Sequence, residues 1–234
     1  DDLDFGNATT IQGYTLVGFE FNLVSEYVAP PTPGVDVEFS YADANMNFGT
    51  GGSLSLDFSI NGSGVVSLDA STSNTNAAQI VAADAWDSSD VGFITNSALF
   101  GKTFSLVGTA QTETGAGAIS LWSNDGGILG VSGQNAGRID GANLLTNNLE
   151  SLTWAMSGDV TVDFTAFSHG NTHPAGGIKL MDSDTTELID LALSGSPVDL
   201  TGLGFSVGAG QSLSFNADTN YLEGAGISGF SFDL

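Results

Sequence analysis

The stretch Leu54–Ile60 reads LSLDFSI, and it decides the fold class. Every second residue from Leu54 onward is apolar, and the residues between are Ser and Asp. This period of two is typical of a strand that turns one face to a core and the other to water. The same alternation recurs in VDVEFSY (35–41), VTVDFTAF (160–167) and FSFDL (230–234).

Weaker copies of the pattern occur in YTLVGFEFNL, TFSLVGTA, SLTWAM, GIKLM, GLGFSV and SLSF, and clusters of Gly, Asn, Asp and Ser separate them. About ten strands joined by such turns predict an all-β fold, an antiparallel β-sandwich or jelly roll with Gly-rich loops. Only the Ala-rich stretch 76–94 has a helix-like spacing, so we expect at most one short helix. The alternation also predicts that Phe39, Phe58, Phe164 and Phe232 face inward.

The chain is expected to form one continuous structure with two regions. Residues 1–75 are predicted to be an N-terminal strand region, and residues 76–234 the main β-sandwich. An acidic, polar start followed by an apolar strand pattern is also how a strand donated to a neighbouring copy's sheet would look. The apolar residues of this predicted assembly strand are Leu3, Phe5 and Ile11.

The charge balance excludes several partners. The chain has 27 acidic residues but only 3 Lys and Arg, and its formal net charge is −24. Such a chain repels phosphate backbones and anionic lipid surfaces, so we expect no nucleic-acid partner and no electrostatic membrane docking. No run of about 18 apolar residues occurs, and therefore no membrane span is predicted.

Two groups of residues resemble metal ligands. Asp182, Asp184 and Glu187 concentrate the hard oxygen ligands that Ca²⁺ prefers, although the spacing is not that of an EF-hand. Ca²⁺ is thus the one cofactor to consider, and solvated acids in a turn are the alternative. His169 and His173 stand in HGNTHP, where Gly and Pro predict a loop, and without a third ligand they predict no zinc or copper site.

Aromatic and cationic side chains give a candidate glycan site. Trp86 and Trp122 are candidates for a surface on which sugar rings stack. Trp154 follows the alternation of its strand and is expected in the core. Arg138 has two interpretations: its guanidinium pairs with Asp140 or Glu150 and fixes a loop, or it contacts a sugar hydroxyl or carboxylate.

No catalytic motif is present. The sequence lacks a Gly-x-Ser-x-Gly elbow, a His-Glu-x-x-His helix and a marked acid pair, so we expect that the protein is not an enzyme. The absence of Cys excludes disulfides, thiolate metal sites and a Cys nucleophile, and it is in keeping with an exported protein. Asp1 as first residue, without Met or a signal-like apolar stretch, suggests a terminus left by signal-peptide removal.

The stretches GILGVSGQNAGRIDG and ESLTWAMSGDVTVDF, together with the terminal YLEGAGISGFSFDL, resemble secreted bacterial β-sandwich proteins of the PEP-CTERM sorting type. The resemblance covers roughly the C-terminal two-thirds of the chain. The Pro-Glu-Pro tail and anchor helix of that type are not among these 234 residues. The resemblance implies export and a cell-surface or matrix setting, and it implies no reaction.

Two functions from different classes follow. The first is a structural subunit of an extracellular filament or surface assembly, in which copies of the chain are joined by strand donation into a homopolymer. The second is a secreted carbohydrate-binding β-sandwich module with a neutral polysaccharide as partner. The N-terminal segment favours the first.

Overall fold

The alternating stretch that begins at Leu54 forms a strand, with its apolar residues buried and most of its Ser and Asp residues half-buried on the outer face. A computed structural model describes residues 34–40, 46–73, 82–85, 94, 96–122, 127–132, 137–140, 149–173, 177–183, 189–193, 195–217 and 224–234. All of them belong to the second of the chain's two units, Thr32–Leu234.

The described part of the chain is built almost wholly from strands. In chain order they are β1 (Gly34–Ser40), β2 (Met46–Asn47), β3 (Ser53–Ile60), β4 (Val66–Thr72), β5 (Ala82–Ala85), β6 (Thr103–Thr112), β7 (Gly115–Ala116), β8 (Ile119–Trp122), β9 (Ile128–Val131), β10 (Ile139–Asp140), β11 (Ser151–Gly158), β12 (Val162–His173), β13 (Gly177–Asp182), β14 (Ile189–Ala192), β15 (Val198–Asp199), β16 (Ser206–Val207), β17 (Ser212–Ala217) and β18 (Gly224–Asp233). A single 3₁₀ turn, Ser97–Leu99, is capped by the Asn96 side chain.

These strands form two antiparallel sheets. The first sheet has the order β15-β12-β18-β9-β8-β2, and β1, β5, β10 and β16 pair at its sides. The second sheet has the order β14-β13-β17-β11-β6-β3-β4, with β7 beside β6. The predicted all-β fold and antiparallel β-sandwich are confirmed.

Aromatic rings from both sheets meet in the core. Phe230 on β18 packs edge-to-face on Trp154 of β11 with ring centroids 5.3 Å apart, and Phe232 packs on Phe58 of β3 at 5.5 Å. Edge-to-face contacts of this kind add to the free energy gained from burial alone. The four predicted inward residues, Phe39, Phe58, Phe164 and Phe232, are all buried, as is Trp154.

Two stretches depart from their local sequence pattern, both for non-local reasons. Ala82–Ala85 lies in the stretch with helix-like spacing but forms β5, because pairing with β1 supplies its main-chain hydrogen bonds. The HGNTHP loop is also a strand as far as His173, because β12 follows β18 through register shifts beyond Ser168. Such β-bulges let an irregular segment stay in a sheet.

Strands from both sides of residue 75 share both sheets, since β1 pairs with β18 and β3 pairs with β6. The predicted donor strand at the N-terminus lies outside the described residues. In the described ranges, no helix has the length and apolar character needed to cross a membrane.

Candidate functional sites

Several residues predicted from the sequence lie outside the described part of the chain. They are Leu3, Phe5, Ile11, Trp86, Asp184 and Glu187. Asp182, the remaining residue of the predicted Ca²⁺ site, is half-buried at the end of β13. Among the described residues, no three His, Cys, Asp or Glu side chains are grouped to hold a metal ion.

The structure brings two predicted glycan residues together. Trp122 ends β8, and its side chain lies over Gly137, the neighbour of Arg138. A Cβ at Gly137 would lie 2.6 Å from the Cβ of Trp122, and the φ angle of Gly137 is +83°, so only glycine fits there. Trp122 and Arg138 are both half-buried, which leaves part of the indole available to a ligand.

The Gly-rich stretch around Arg138 contributes main chain to the sheet. The N–H of Val131 donates to the carbonyl oxygen of Arg138 at 2.8 Å, and the next two residues form β10 beside β18. The Nε atom of Arg138 is buried. The segment around Arg138 is therefore a structural part of the sandwich as well as a candidate glycan contact.

A buried pair of carboxyl groups, Asp140 and Glu150, lies next to the Arg138 segment in the chain. Asp140 on β10 is 4% exposed, and Glu150, just before β11, is 1% exposed. The main-chain N–H of Asp140 donates to Oε2 of Glu150 at 3.1 Å, while Oε1 is buried without a hydrogen-bond partner. The main chain of Glu150 is held by Ala217, whose N–H donates to its carbonyl oxygen.

Burial raises the pKa of Glu150 to about 8. The Asp140 main-chain N–H opposes the shift, whereas the charge of the Asp140 carboxylate, a hydrogen bond to that carboxylate and the more distant Glu113 add to it. Glu150 is protonated at neutral pH, and the pair carries fewer charges than its composition suggests.

A second group of carboxylates lies on the outer face of the first sheet. Asp163 on β12 stands directly opposite Asp233 on β18, and Asp36 lies on β1 at the other side of β18. The Ser206 hydroxyl donates to Asp163. Partial burial raises the pKa of Asp233, and the charges of Asp163 and Asp36 raise it further.

Strand β4 lies at one edge of the second sheet as the described residues form it. In the described residues, β4 is hydrogen-bonded in the sheet to β3 alone. The N–H of Asn61 donates to Val65 and the N–H of Ser73 donates to Ser53, so the odd-numbered residues of β4 face β3. Because hydrogen-bonding direction alternates along an antiparallel strand, Val66, Leu68 and Ala70 direct their N–H and C=O groups to the free edge.

The same three residues carry the inward-facing side chains of β4. Val66, Leu68 and Ala70 pack against the hydrophobic core but are only half-buried, whereas Leu56 and Phe58 on the neighbouring β3 are fully buried. Val65, just before the strand, is 39% exposed. The apolar side chains along this edge are therefore only partly covered.

Comparisons with protein-family models, with curated proteins and with solved structures found no match.

Sequence reasoning missed the edge strand and the carboxyl pair as sites. The alternation of β4, VSLDAST, is weak, and it contains no sign that the strand lies at an edge. Glu150 follows LTNNL, a polar context that is typical of an exposed loop. In both cases the property depends on which distant strands lie beside the residue.

Proposed function

We propose that this chain is a structural subunit of an extracellular filament or surface assembly, in which the N-terminal strand of one copy adds to β4 of the next. The observation that carries the proposal is the edge of β4, where, among the described residues, β3 alone forms a ladder with β4 and the apolar side chains of β4 are half-buried. Strand addition to a sheet edge takes affinity from main-chain hydrogen bonds and specificity from alternate side chains.

Strand β4 itself lacks the residues that usually protect a sheet edge. Natural sheets guard their edges with Pro, Lys, bulges or inward-pointing charges. Strand β4 has none of these residues, and its single charge, Asp69, is exposed on the outer face. An added strand with apolar residues at alternate positions, such as Leu3 and Phe5, covers Val66 and Leu68 and removes apolar surface from water.

The net charge of −24 is compatible with polymerisation. The donated strand contacts main chain and apolar groups, while the carboxylates stay on outer surfaces where salt screens them within about 10 Å at 0.1 M. Assembly is therefore expected to strengthen when salt or Ca²⁺ is added. The scarcity of Lys and Arg, which leaves few cleavage sites for trypsin-like proteases, and the absence of Cys support the extracellular setting.

The first test compares the full chain with a chain that lacks residues 1–12. Electron microscopy and light scattering are expected to find polymers of the full chain and folded monomers of the shortened chain, because the acceptor sheet keeps its own core. A full chain that stays monomeric at high concentration and in native secretions contradicts the proposal. So does a polymer that dissociates when salt is raised.

The second test locates the acceptor edge. Ala70→Pro removes an N–H that points to the free edge and leaves the β3 ladder intact, so it is expected to stop polymerisation while the monomer stays folded. Ala70→Val is the matched control, because it keeps the N–H and a strand-compatible side chain. Equal polymerisation of the two variants would show that β4 is not the acceptor.

The carbohydrate-binding module is a second candidate, favoured by the contact between Trp122 and the Gly137–Arg138 segment. Replacing Trp86 and Trp122 by Ala is expected to abolish retention on a neutral polysaccharide gel if this function is correct. The same double variant is expected to polymerise normally if the assembly function is correct. The two candidates are thereby separated with one protein.

A further inference from the structure

One end of the sandwich contains an open cleft of about 380 Å³. Three separate segments form it: the turn after β2, the hairpin between β6 and β7, and the residue that follows β9. Its polar side chains are Asn47, Thr50, Thr112, Thr114 and Ser132, and small residues such as Ala116 complete the walls. The volume lies toward the lower end of the roughly 300–1,000 Å³ found for ligand pockets.

Hydrogen bonds hold the three segments in place. The Asn47 amide donates to the Ser132 hydroxyl at 2.7 Å, and the Asn47 side-chain oxygen accepts from the N–H of Gly49 at 3.0 Å. The N–H of Gly51 donates to the Gly117 carbonyl at 2.9 Å, which joins the turn to the hairpin. The cleft is thus formed before any ligand arrives, which reduces the ordering cost of binding.

Hydrogen bonds also fix the positions of the two threonine hydroxyls in the hairpin between β6 and β7. Thr112 and Thr114 lie 3.2 Å apart between their Oγ1 atoms, and the Thr112 hydroxyl also donates to the Gly115 carbonyl at 3.3 Å. Each hydroxyl combines one donor with acceptor lone pairs, so such a wall pairs with groups that are themselves both donor and acceptor. Sugar hydroxyls have this property.

The described residues of the lining carry no ionisable side chain. These described residues offer a cationic ligand no carboxylate, and an anionic ligand would meet the repulsion of a chain with net charge −24. Strongly apolar ligands are disfavoured because threonine, serine and asparagine side chains dominate the walls. The remaining class is neutral, compact and rich in hydroxyl groups.

We propose that this end cleft binds one pyranose ring of a neutral carbohydrate. The site is distinct from Trp122 and Arg138, and it goes beyond the assembly function because none of its residues belongs to β4. Since none of the described lining residues is aromatic, we expect no stacking contribution from them and a dissociation constant of about a millimolar. A polymer that repeats the cleft would hold polysaccharide by avidity.

The test is an NMR titration of the full chain with glucose, galactose, mannose and N-acetylglucosamine, with glucuronate as the anionic comparison. At least one neutral sugar is expected to shift the amide signals of Gly49, Thr50 and Thr114 in a saturable way. The variant Thr114→Val with Ser132→Ala removes two hydroxyls and is expected to weaken binding about tenfold or more. Thr103→Val, an exposed hydroxyl loss at the other end of β6, is the matched control and is expected to bind as the parent does.

Three results overturn the proposal. The first is the absence of a saturable shift with any neutral sugar up to about 100 mM, which would put the dissociation constant above the millimolar range. The others are unchanged sugar binding by the double variant and binding of glucuronate as strong as that of the neutral sugars. Retention on dextran, compared with free glucose, separates recognition of a chain from recognition of a single ring. The assembly function is judged separately, because the double hydroxyl variant is expected to polymerise and Ala70→Pro is expected to bind sugar.

Discussion

The molecule contains two groups of carboxylates that differ in one respect, their access to water. Asp140 and Glu150 are buried at an end of the sandwich, whereas Asp36, Asp163 and Asp233 lie on the outer face of the first sheet. Burial is the largest cause of the raised pKa in both groups, but only Glu150 reaches a value of about 8. Neighbouring charges alone produce a modest change where solvent screens them.

This difference shows how a chain with so few cations can bury acidic groups. A buried carboxylate without a cationic partner is very costly, and taking up a proton removes most of the cost. The main-chain N–H of Asp140 donates to Glu150, and burial favours the protonated form of Glu150, which removes its charge from the interior. At the surface, water stabilises the charged form of a carboxylate. Asp163 is exposed and also accepts a hydrogen bond from the Ser206 hydroxyl.

The largest expected effect is a loss of stability with rising pH that depends on Glu150. Between its ordinary pKa of 4.5 and the folded value of about 8, the unfolded chain releases a proton that the folded chain keeps. Stability from this group is therefore complete below pH 4.5, falls as pH rises and levels off above pH 8, a loss on the order of a few kcal/mol. Urea unfolding at pH 5 and pH 8.5 measures it.

Glu150→Gln imitates the protonated acid and is expected to remove most of this loss, so that the variant is the more stable protein at pH 8.5. Glu38→Gln is the matched control, because Glu38 is exposed on β1. It removes the same charge from a solvated site and should leave the pH dependence nearly unchanged. Parallel curves for Glu150→Gln and the parent would mean that the buried pair does not set the pH dependence.

The fold was predictable where local pattern and tertiary context agree. Period-two alternation gave β3, the start of β12 and the end of β18, and it placed Phe58 and Phe232 in the core. It failed at Ala82–Ala85, since four small residues have no alternation and their strand state comes from pairing with β1. Long-range pairing decides such segments, and a single sequence does not contain it in readable form.

The sites were less predictable than the fold, for a related reason. Glu150 is buried because β11 begins beside the end of β17, where Ala217 holds its main chain. The end cleft joins Asn47, Thr114 and Ser132 from three distant parts of the chain. Trp122 and Arg138 were identified as candidates from residue type, but their proximity depends on Gly137.

A smaller effect is expected from Asp140→Asn, which keeps the shape of the buried pair and replaces the Asp140 carboxyl group by a neutral amide. Without the repulsion, and with an amide that can donate to the Glu150 carboxylate, the pKa of Glu150 should fall by about one unit. The carboxyl carbon signal of Glu150, followed by NMR from pH 4 to 10, measures this shift directly. An unchanged pKa would assign the whole effect to burial and none to the neighbour.

The smallest expected effect is at the surface, where Asp233→Asn tests the other group. Replacing Asp233 relieves its repulsion from Asp163 and Asp36, and because the folded pKa is raised above its ordinary value of 3.8, the parent loses this stability as pH rises through that range. Asp233 is only partly buried, so screening by solvent limits the gain of the variant at pH 7 to less than about 1 kcal/mol. The gain should shrink further in 1 M NaCl, where the Debye length is about 3 Å, whereas the benefit of Glu150→Gln should persist. A salt-independent gain at Asp233 would show that desolvation controls both groups of carboxylates and that access to water does not separate them.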